Sequence, residues 1–420
     1  MISLLAAAAF LFQPLAVERR YEAEAQDLAA DPKVAAAMTA LDGMGEASLE
    51  DLVAITETPA PPFGEGPRAK LVAGMLEETG FGTVTTDEAG NVVARRKGTG
   101  GGEPVAVLAH IDTVFPEGTD VTVKRDGDTY AAPGIGDNAR GVVLLLELAR
   151  AIEEAGIETQ RDILLVGNVG EEGLGDLSGV RHLFREGAEP LGALIAIDGS
   201  EAQRIVTSAV GSNRYRVRIE GPGGHSWSDF GAPNPHIALA RAIAAFDEAA
   251  RPITARGPKS SYSVGRIGGG TSVNSIPFES VMEVDMRSGD PEKLAALDEA
   301  FQKAMRAGLE AENKVRRVGE PLTLAVEPIG KRPAGQGDLR SPLVQHAGAA
   351  LRAFGLQPET AASSTDANVP LSLGVPAITL SRGGRSVRAH SLDERWTDEE
   401  TQRATKIALL TLLAEAGYAP

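Results

Sequence analysis

The chain of 420 residues carries 41 Lys and Arg against 58 Asp and Glu, a formal net charge of −17 at pH 7. This acidic balance argues against nucleic acid or an anionic membrane as the main partner, because both require basic surfaces. The chain has no cysteine, which excludes disulfides and cysteine-ligated metal sites, so any metal ion must be held by histidine and carboxylate side chains. The length allows two or three domains of ordinary size.

The N-terminus begins with an uncharged apolar run, ISLLAAAAFLF, over residues 2–12. The run is shorter than the ~20 residues of a membrane-spanning helix, and we predict no stable membrane insertion. Its length fits the apolar region of a secretory signal, so we predict a signal peptide over 1–20 and an exported protein, periplasmic or secreted. The alternative is an apolar N-terminal helix of a cytoplasmic protein, since no Lys or Arg precedes the run.

Residues 22–56 have a helical pattern in which Ser48 is the predicted N-cap of a helix. Beyond them, apolar runs with the length of buried strands alternate with amphipathic helices; the runs lie at 104–112, 161–170, 192–199 and 375–381. Strands that are apolar on both faces need helices on both sides. The sequence therefore predicts an α/β fold with a mostly parallel sheet covered on both faces.

The pattern changes near residue 209. The segment RYRVRIEG (214–221) alternates strictly, with Val217 and Ile219 on one face and arginines on the other, as in a half-buried antiparallel strand. A helix, two more alternating strands around the loop GGGTSVNSIP, and a second helix follow. This β-α-β-β-α order predicts an inserted α+β domain, ferredoxin-like, over 209–320. The catalytic domain would then consist of 21–208 and 321–420.

Polar residues follow the predicted buried strands at their C-terminal ends, where open α/β sheets bind ligands. They are His110, Asp112, Glu171, Glu172, Asp198 and His390, with Asp137 just before a helix. Taken singly, Asp137 fits a helix N-cap and the Glu-Glu pair fits a solvated turn. Repeated delivery of carboxylates to one sheet edge favours instead a site for Zn²⁺, Mn²⁺ or Co²⁺. Asp112 is placed to orient His110 from behind.

Seven motifs occur in order between residues 105 and 396: AHIDTV, APGIGDNARG, EEGLG, AIDGS, GGHSW, GGTSVNSIP and AHSLDE. In this order they make the chain similar to the di-zinc exopeptidases related to peptidase T and glutamate carboxypeptidase. The resemblance covers nearly all of the chain after the apolar run. It implies a phosphorylase/hydrolase-like zinc exopeptidase core with a lid and dimerisation domain inserted into it.

The resemblance also implies two divalent metal ions, Zn²⁺ with Mn²⁺ or Co²⁺ as alternatives. Asp137 would bridge them. His110 and Asp198 would complete one site, and Glu172 and His390 the other. The Asp137–Asn138 peptide would be cis.

Further residues would complete the active site. Asp112 would support His110, and Glu171 would be the general base and acid acting on the metal-bridging water. The insert would form a homodimer in which His225 reaches the partner's active site, and Asn274 and Arg287 would contact the substrate. From the sequence alone, His225 also fits an exposed loop and Arg287 a solvated strand.

The function predicted in this way is hydrolysis of the amide bond of short peptides by an aminopeptidase or a di- or tripeptidase. The alternative is a carboxypeptidase or an amidohydrolase acting on N-acyl amino acids. A non-catalytic metal-binding protein is disfavoured, because Glu171 and all five ligands are present. A serine hydrolase lacks support, since no Gly-x-Ser-x-Gly motif occurs. The segment between 322 and 375 contains further candidates for the lining of the substrate cleft, without an assigned role: Lys331, Arg332, Ser364 and Asp366.

Overall fold

The computed structural model describes residues 13–420, and the apolar run at 2–12 lies outside them. In the described residues the strands are β1 Gln13–Pro14, β2 Thr83–Thr86, β3 Val92–Arg96, β4 Val105–His110, β5 Lys124–Asp126, β6 Thr129–Ala131, β7 Glu158–Thr159, β8 Ile163–Asn168, β9 Ala193–Ile197, β10 Arg204–Ala209, β11 Gly211–Glu220, β12 Gly224–His225, β13 Ser260–Gly269, β14 Ser275–Ile276, β15 Glu279–Ser288, β16 Thr323–Arg332, β17 Gly335–Gln336, β18 Glu359–Ser363, β19 Ala377–Leu380, β20 Arg385–Val387, β21 Arg395–Thr397 and β22 Tyr418–Ala419. The α-helices are α1 Arg19–Ala30, α2 Pro32–Gly43, α3 Gly45–Glu57, α4 Gly66–Glu78, α5 Arg140–Glu154, α6 Ser178–Leu183, α7 Pro235–Thr254, α8 Pro291–Val315, α9 Pro342–Ala353, α10 Asn368–Ser372 and α11 Thr401–Ala416. None of these helices is long and apolar enough to cross a membrane.

The chain forms two compact units. The first ends at Ala209 and resumes at Gln336, and the second is Val210–Gly335. The first unit contains a ten-stranded sheet in the order β1-β18-β10-β19-β9-β4-β8-β3-β2, with β17 paired to β10. Its central strands β19, β9, β4 and β8 are mutually parallel. The predicted α/β fold with a mostly parallel sheet is confirmed.

Strand β4 shows why its sequence is apolar at successive positions. Val105 and Val107 belong to one hydrophobic core, which helices α2, α5 and α11 also build. Ala106 and Leu108 point to the other face and pack in a second core with residues of α6 and α10. All four side chains are fully buried, as expected for a parallel strand covered by helices on both faces.

The N-terminal described segment packs on the first unit. β1 pairs with β18, and Leu15 is 5% exposed in the main core. Residues 13–20 of the predicted signal peptide are therefore integrated in the fold. The predicted N-cap at Ser48 is wrong: α3 begins at Gly45, and the Ser48 hydroxyl donates to Glu147 Oε1 at 2.7 Å in the buried interior.

The second unit is an antiparallel sheet, in the order β13-β15-β11-β16, with helices α7 and α8 on one face. Val217 and Ile219 are fully buried against these helices, as their alternation predicts. On the other face Arg216 pairs with Glu283 at 2.9 Å. Strand β16 lies beyond the predicted insert 209–320, and it contains Pro328, a residue confined to edge strands and bulges. Pro328 pairs with Tyr215 at such an irregularity.

Candidate metal centre

The central parallel strands bring polar side chains to one edge of the sheet. β4 ends at His110, and β8 ends beside it at Asn168, three residues before Glu171. β9 ends at Ile197, directly before Asp198. Because parallel strands share their C-terminal edge, residues separated by more than 80 positions in sequence meet there.

Asp137 lies between the two predicted imidazole ligands. Its Oδ1 is 3.4 Å from His110 Nε2, and its Oδ2 is 3.1 Å from His390 Nε2. Glu172 Oε1 is 2.9 Å from the same nitrogen of His390. Ligand atoms of His110, Asp137 and Glu172 lie within 4.8 Å of one another. The two oxygens of Asp137 thus face two different histidines, and the Asp137–Asn138 peptide is cis.

Asp112 is fully buried behind the site. Its carboxylate accepts hydrogen bonds from the backbone N–H of Glu171 at 3.0 Å and of Glu172 at 2.7 Å. His110 Nδ1 is 3.5 Å from Asp112 Oδ1 and 3.1 Å from the Asp112 carbonyl oxygen. Asp112 therefore contacts His110, as predicted, and it also fixes the Glu171–Glu172 turn, which the sequence analysis did not anticipate.

The carboxylates create a strongly negative potential at this edge. Burial alone would lower the pKa of His110, but its contacts with Asp112 and Asp137 raise it well above its usual value. The pKa of His390 rises to about 10 through its contacts with Asp137 and Glu172. A site that stabilises imidazolium stabilises a divalent cation for the same reason. The donor set of imidazole and carboxylate groups suits Zn²⁺, Mn²⁺ or Co²⁺.

Arg382, which was not predicted from the sequence, links Asp198 to Asp137. Arg382 Nη1 donates to Asp198 Oδ1 at 2.7 Å and to Asp137 Oδ1 at 3.1 Å. Burial, followed by the charge of Asp137, raises the pKa of Asp198, and Arg382 only partly offsets this. Arg382 follows the end of β19 by two residues. Arg382 thus follows the C-terminal end of a buried strand, as Asp198 does, and could have been found by the same reasoning.

Glu394 is a second residue missed from the sequence. Its carboxylate accepts backbone N–H groups from Gly134 at 3.0 Å, Gly136 at 2.9 Å and Asp137 at 2.8 Å. It is fully buried, and it fixes the loop that presents Asp137. The available signal was its place in AHSLDE, four residues after His390.

Asp366 acquires a place in the site. Asn168, which pairs with His110 in the sheet, donates from Nδ2 to Asp366 Oδ2 at 2.8 Å. Burial raises the pKa of Asp366 to about 6. This carboxyl therefore contacts the last residue of β8.

In the second unit, His225 lies on β12, which pairs with β14, and Asn274 directly precedes β14. The backbone N–H of Ser226 donates to the Asn274 carbonyl at 3.0 Å. His225 is exposed, and its Nδ1 accepts the backbone N–H groups of Trp227 at 3.2 Å and Ser228 at 3.4 Å. A neutral His225 that accepts at Nδ1 carries its proton on Nε2. That nitrogen is therefore the donor of the ring.

Arg287 lies on β15, with its side chain 44% exposed, and its Nε donates to Asp285 Oδ2 at 2.7 Å. Its place on the face opposite the helices agrees with the alternation of the sequence. The described contacts are compatible with either of its two predicted roles.

Comparison with known proteins identifies the family. The family model described as Peptidase family M20/M25/M40 matches residues 106–414. Carboxypeptidase G2 of Pseudomonas sp. (strain RS-16) is 24% identical over 348 residues, which cover 79% of this chain and 79% of that protein.

Two solved structures show the same fold. Aminopeptidase PepT from Bacillus cereus ATCC 10987 superposes with a TM-score of 0.71 at 20% identity, covering 88% of this chain and 98% of that one. A hydantoinase/carbamoylase-family amidase from Burkholderia vietnamiensis gives a TM-score of 0.65 at 21% identity, covering 89% and 97%. The family match spans most of the chain and includes every residue of the metal centre, so this protein is a metal-dependent hydrolase that belongs to peptidase family M20/M25/M40.

Proposed function

We propose that the protein is an exopeptidase that binds two divalent ions, most favourably Zn²⁺, and hydrolyses short peptides with Glu171 as its general base. The observation that carries the proposal is the placement of Asp137, whose two oxygens face His110 and His390. A carboxylate in this position is suited to contribute one oxygen to each of two ions. Glu171 and Glu172 both follow the end of β8, but the resemblance makes only Glu172 a metal ligand. The carboxylate of Glu171 is therefore left to act as the base.

The residues divide into two ligand sets that share Asp137. His110 and Asp198 would hold one ion, and Glu172 and His390 the other. When bound, the ions would supply Lewis acidity and make a water molecule more acidic. The contacts of Asp112 with both Glu backbones position Glu171 and Glu172 before any ion binds.

Glu171 performs the proton transfers of the reaction. It is 4% exposed, which limits competition from bulk water. Its carboxylate takes one proton from the attacking water and passes it to the nitrogen of the leaving amine as the amide C–N bond breaks. A positioned base of this kind contributes about 10²–10⁴-fold to the rate.

For His225 we propose the role of oxyanion donor, acting in a homodimer through the second unit. Its support is the tautomer set by Trp227 and Ser228, which puts the ring proton on Nε2. A donor aimed at the developing negative charge of the tetrahedral intermediate contributes about 10²–10³-fold. Asn274, directly before β14, and Arg287 are the proposed substrate contacts.

The terminus that the enzyme recognises distinguishes the two candidate functions. The solved aminopeptidase with this fold supports the aminopeptidase or di/tripeptidase proposal. The similarity to Carboxypeptidase G2, and the amidase fold, support a carboxypeptidase or an N-acyl-amino-acid amidohydrolase as the second candidate.

The test is hydrolysis of one tripeptide in three forms: free, N-acetylated and C-amidated. Zn²⁺-loaded and chelator-treated protein are assayed side by side. Cleavage that needs the free amine and is lost on chelation supports the aminopeptidase proposal. Cleavage of the acetylated but not the amidated form moves the protein to the second candidate. Absence of cleavage in all three forms contradicts the proposed peptidase activity on short peptides.

A further inference from the structure

Arg382 is a permanent positive charge built into the metal centre. It is 3% exposed, and the charges of Asp137 and Asp198 raise its pKa despite the opposing effect of burial. Its backbone N–H donates to the Gly199 carbonyl at 2.9 Å, and the Asp198 N–H donates to Leu380 at 2.9 Å. These bonds between the ends of β9 and β19 fix the arginine directly beside Asp198.

The guanidinium and a metal ion would use the same oxygen atoms. Nη1 lies 2.7 Å from Asp198 Oδ1 and 3.1 Å from Asp137 Oδ1. These two carboxylates are the assigned ligands that would hold one ion together with His110. A divalent ion placed between them would meet a like charge that is buried, and the repulsion between like charges is strong where solvent is excluded. This repulsion would drive Nη1 away from at least one of these oxygens as the ion binds.

In the second ligand set the carboxylate oxygens contact a histidine that is itself an assigned ligand. Glu172 Oε1 and Asp137 Oδ2 both lie close to His390 Nε2, at 2.9 and 3.1 Å. Nη1 of Arg382 is bonded to the other oxygen of Asp137, Oδ1. The two ligand sets consequently differ in the side chain that holds their oxygens: His390 is itself an assigned ligand, whereas Arg382 cannot bind a metal ion and keeps its positive charge.

We propose that Arg382 is a displaceable cation that makes the two metal ions bind in separate steps. The first ion enters at Glu172 and His390. The second enters at His110 and Asp198, and it binds more weakly because it must displace the guanidinium. Before that step Arg382 pairs with Asp198 and with one oxygen of Asp137, whose side chains are only 22% and 13% exposed. The inference rests on the proposed function in one respect, the assignment of Asp137 and Asp198 as ligands.

The experiment is a calorimetric titration of chelator-treated, full-length protein with Zn²⁺, without any peptide. We expect two steps in the wild type that differ in affinity by at least about tenfold. In Arg382→Met the second step should tighten by about tenfold or more, with the first changed by less than about threefold. Arg382→Lys keeps the charge and should keep more of the separation. Arg385→Met is the matched control, because Arg385 is 63% exposed and pairs with Glu399 on the surface.

A second measurement separates displacement from a structural role. Without a metal ion, Arg382→Met removes the arginine partner of Asp198 and one of the three basic partners of Asp137. Zn²⁺ should therefore raise the unfolding temperature of the variant more than that of the wild type. Identical isotherms for wild type and Arg382→Met, or equal tightening in Arg385→Met, would overturn the proposal. If Arg382→Met does not fold after chelation, the wild type decides: separated steps support the proposal, and two ions binding in one step overturn it. Because no substrate is present, a failure to cleave peptides would leave this result unaffected.

Discussion

Replacing Asp112 with Asn tests how the Glu171–Glu172 turn is held. The carboxylate accepts two backbone N–H groups, at 3.0 and 2.7 Å. An Asn side chain keeps one acceptor oxygen, so its amide group would face the other N–H as a second donor. Hydrogen bonds to a charged group contribute about 1.5–3 kcal/mol each. Losing one and weakening the other should lower the free energy of unfolding by about 2–4 kcal/mol.

The same substitution should weaken metal binding. Removing a partner that orients ligands typically costs about 10–100-fold in affinity, equivalent to about 1.4–2.7 kcal/mol. Urea unfolding of chelator-treated protein measures the first effect, and Zn²⁺ competition against a chelating dye measures the second. Asp120→Asn, at an exposed loop position, is the control. The reasoning is refuted if Asp112→Asn matches this control in both stability and Zn²⁺ affinity.

Further predictions concern an ion pair, the N-terminal segment and the active site. The pKa of Asp162 falls from 3.8 to about 2, because hydrogen bonds from a backbone N–H and two basic side chains outweigh its burial. The lowered pKa stabilises the fold by about 2 kcal/mol above pH 4, and this stabilisation is lost as the pH falls towards 2. In urea unfolding, Asp162→Asn should therefore be less stable than the wild type at pH 7 but not near pH 2. Leu15→Ala should lower the free energy of unfolding by about 2–5 kcal/mol, whereas Leu392→Ala, at a site 70% exposed, should lower it little. If the protein is exported, mass spectrometry should find a mature N-terminus before Leu15. A mature N-terminus after Leu15 would contradict the prediction. Mixing inactive His225→Ala with inactive Glu171→Gln should restore part of the activity if His225 acts across a dimer, and no recovery after subunit exchange would exclude action in trans.

The sequence predicted the central sheet well because the period and length of its apolar runs reflect burial on both faces. Val105 to Leu108 show this directly, with successive side chains in opposite cores. Strand β16 was missed because Pro328 weakens a strand pattern, and only its pairing partner shows that an irregularity accommodates it. Ser48 was misread because a serine within a helix and an N-cap serine look alike until the partner, here Glu147, is known.

The candidate site was predictable as far as each strand ends in a polar residue. His110, Glu172, Asp198 and His390 were found in this way, and Asp137 was found by its place just before a helix. Roles that depend on contact with a residue far away in the sequence could not be predicted from the sequence.

Arg382 and Glu394 show what such an analysis misses. An arginine after a strand is usually solvated. The carboxylates that accept hydrogen bonds from Arg382 belong to Asp198 and Asp137, about 180 and 245 residues earlier in the chain. Glu394 binds the backbone of a loop about 260 residues before it. No local pattern encodes these contacts.

The most direct test of the proposed mechanism is the rate of tripeptide cleavage by Glu171→Gln at saturating Zn²⁺. The substitution keeps the size of a side chain that is 4% exposed and removes the carboxylate that accepts the proton. The metal content of wild type and variant is measured on the same samples. We predict unchanged Zn²⁺ content with kcat lowered about 10²–10⁴-fold. Wild-type kcat in a fully metal-loaded Glu171→Gln variant would contradict the assignment of Glu171 as the general base.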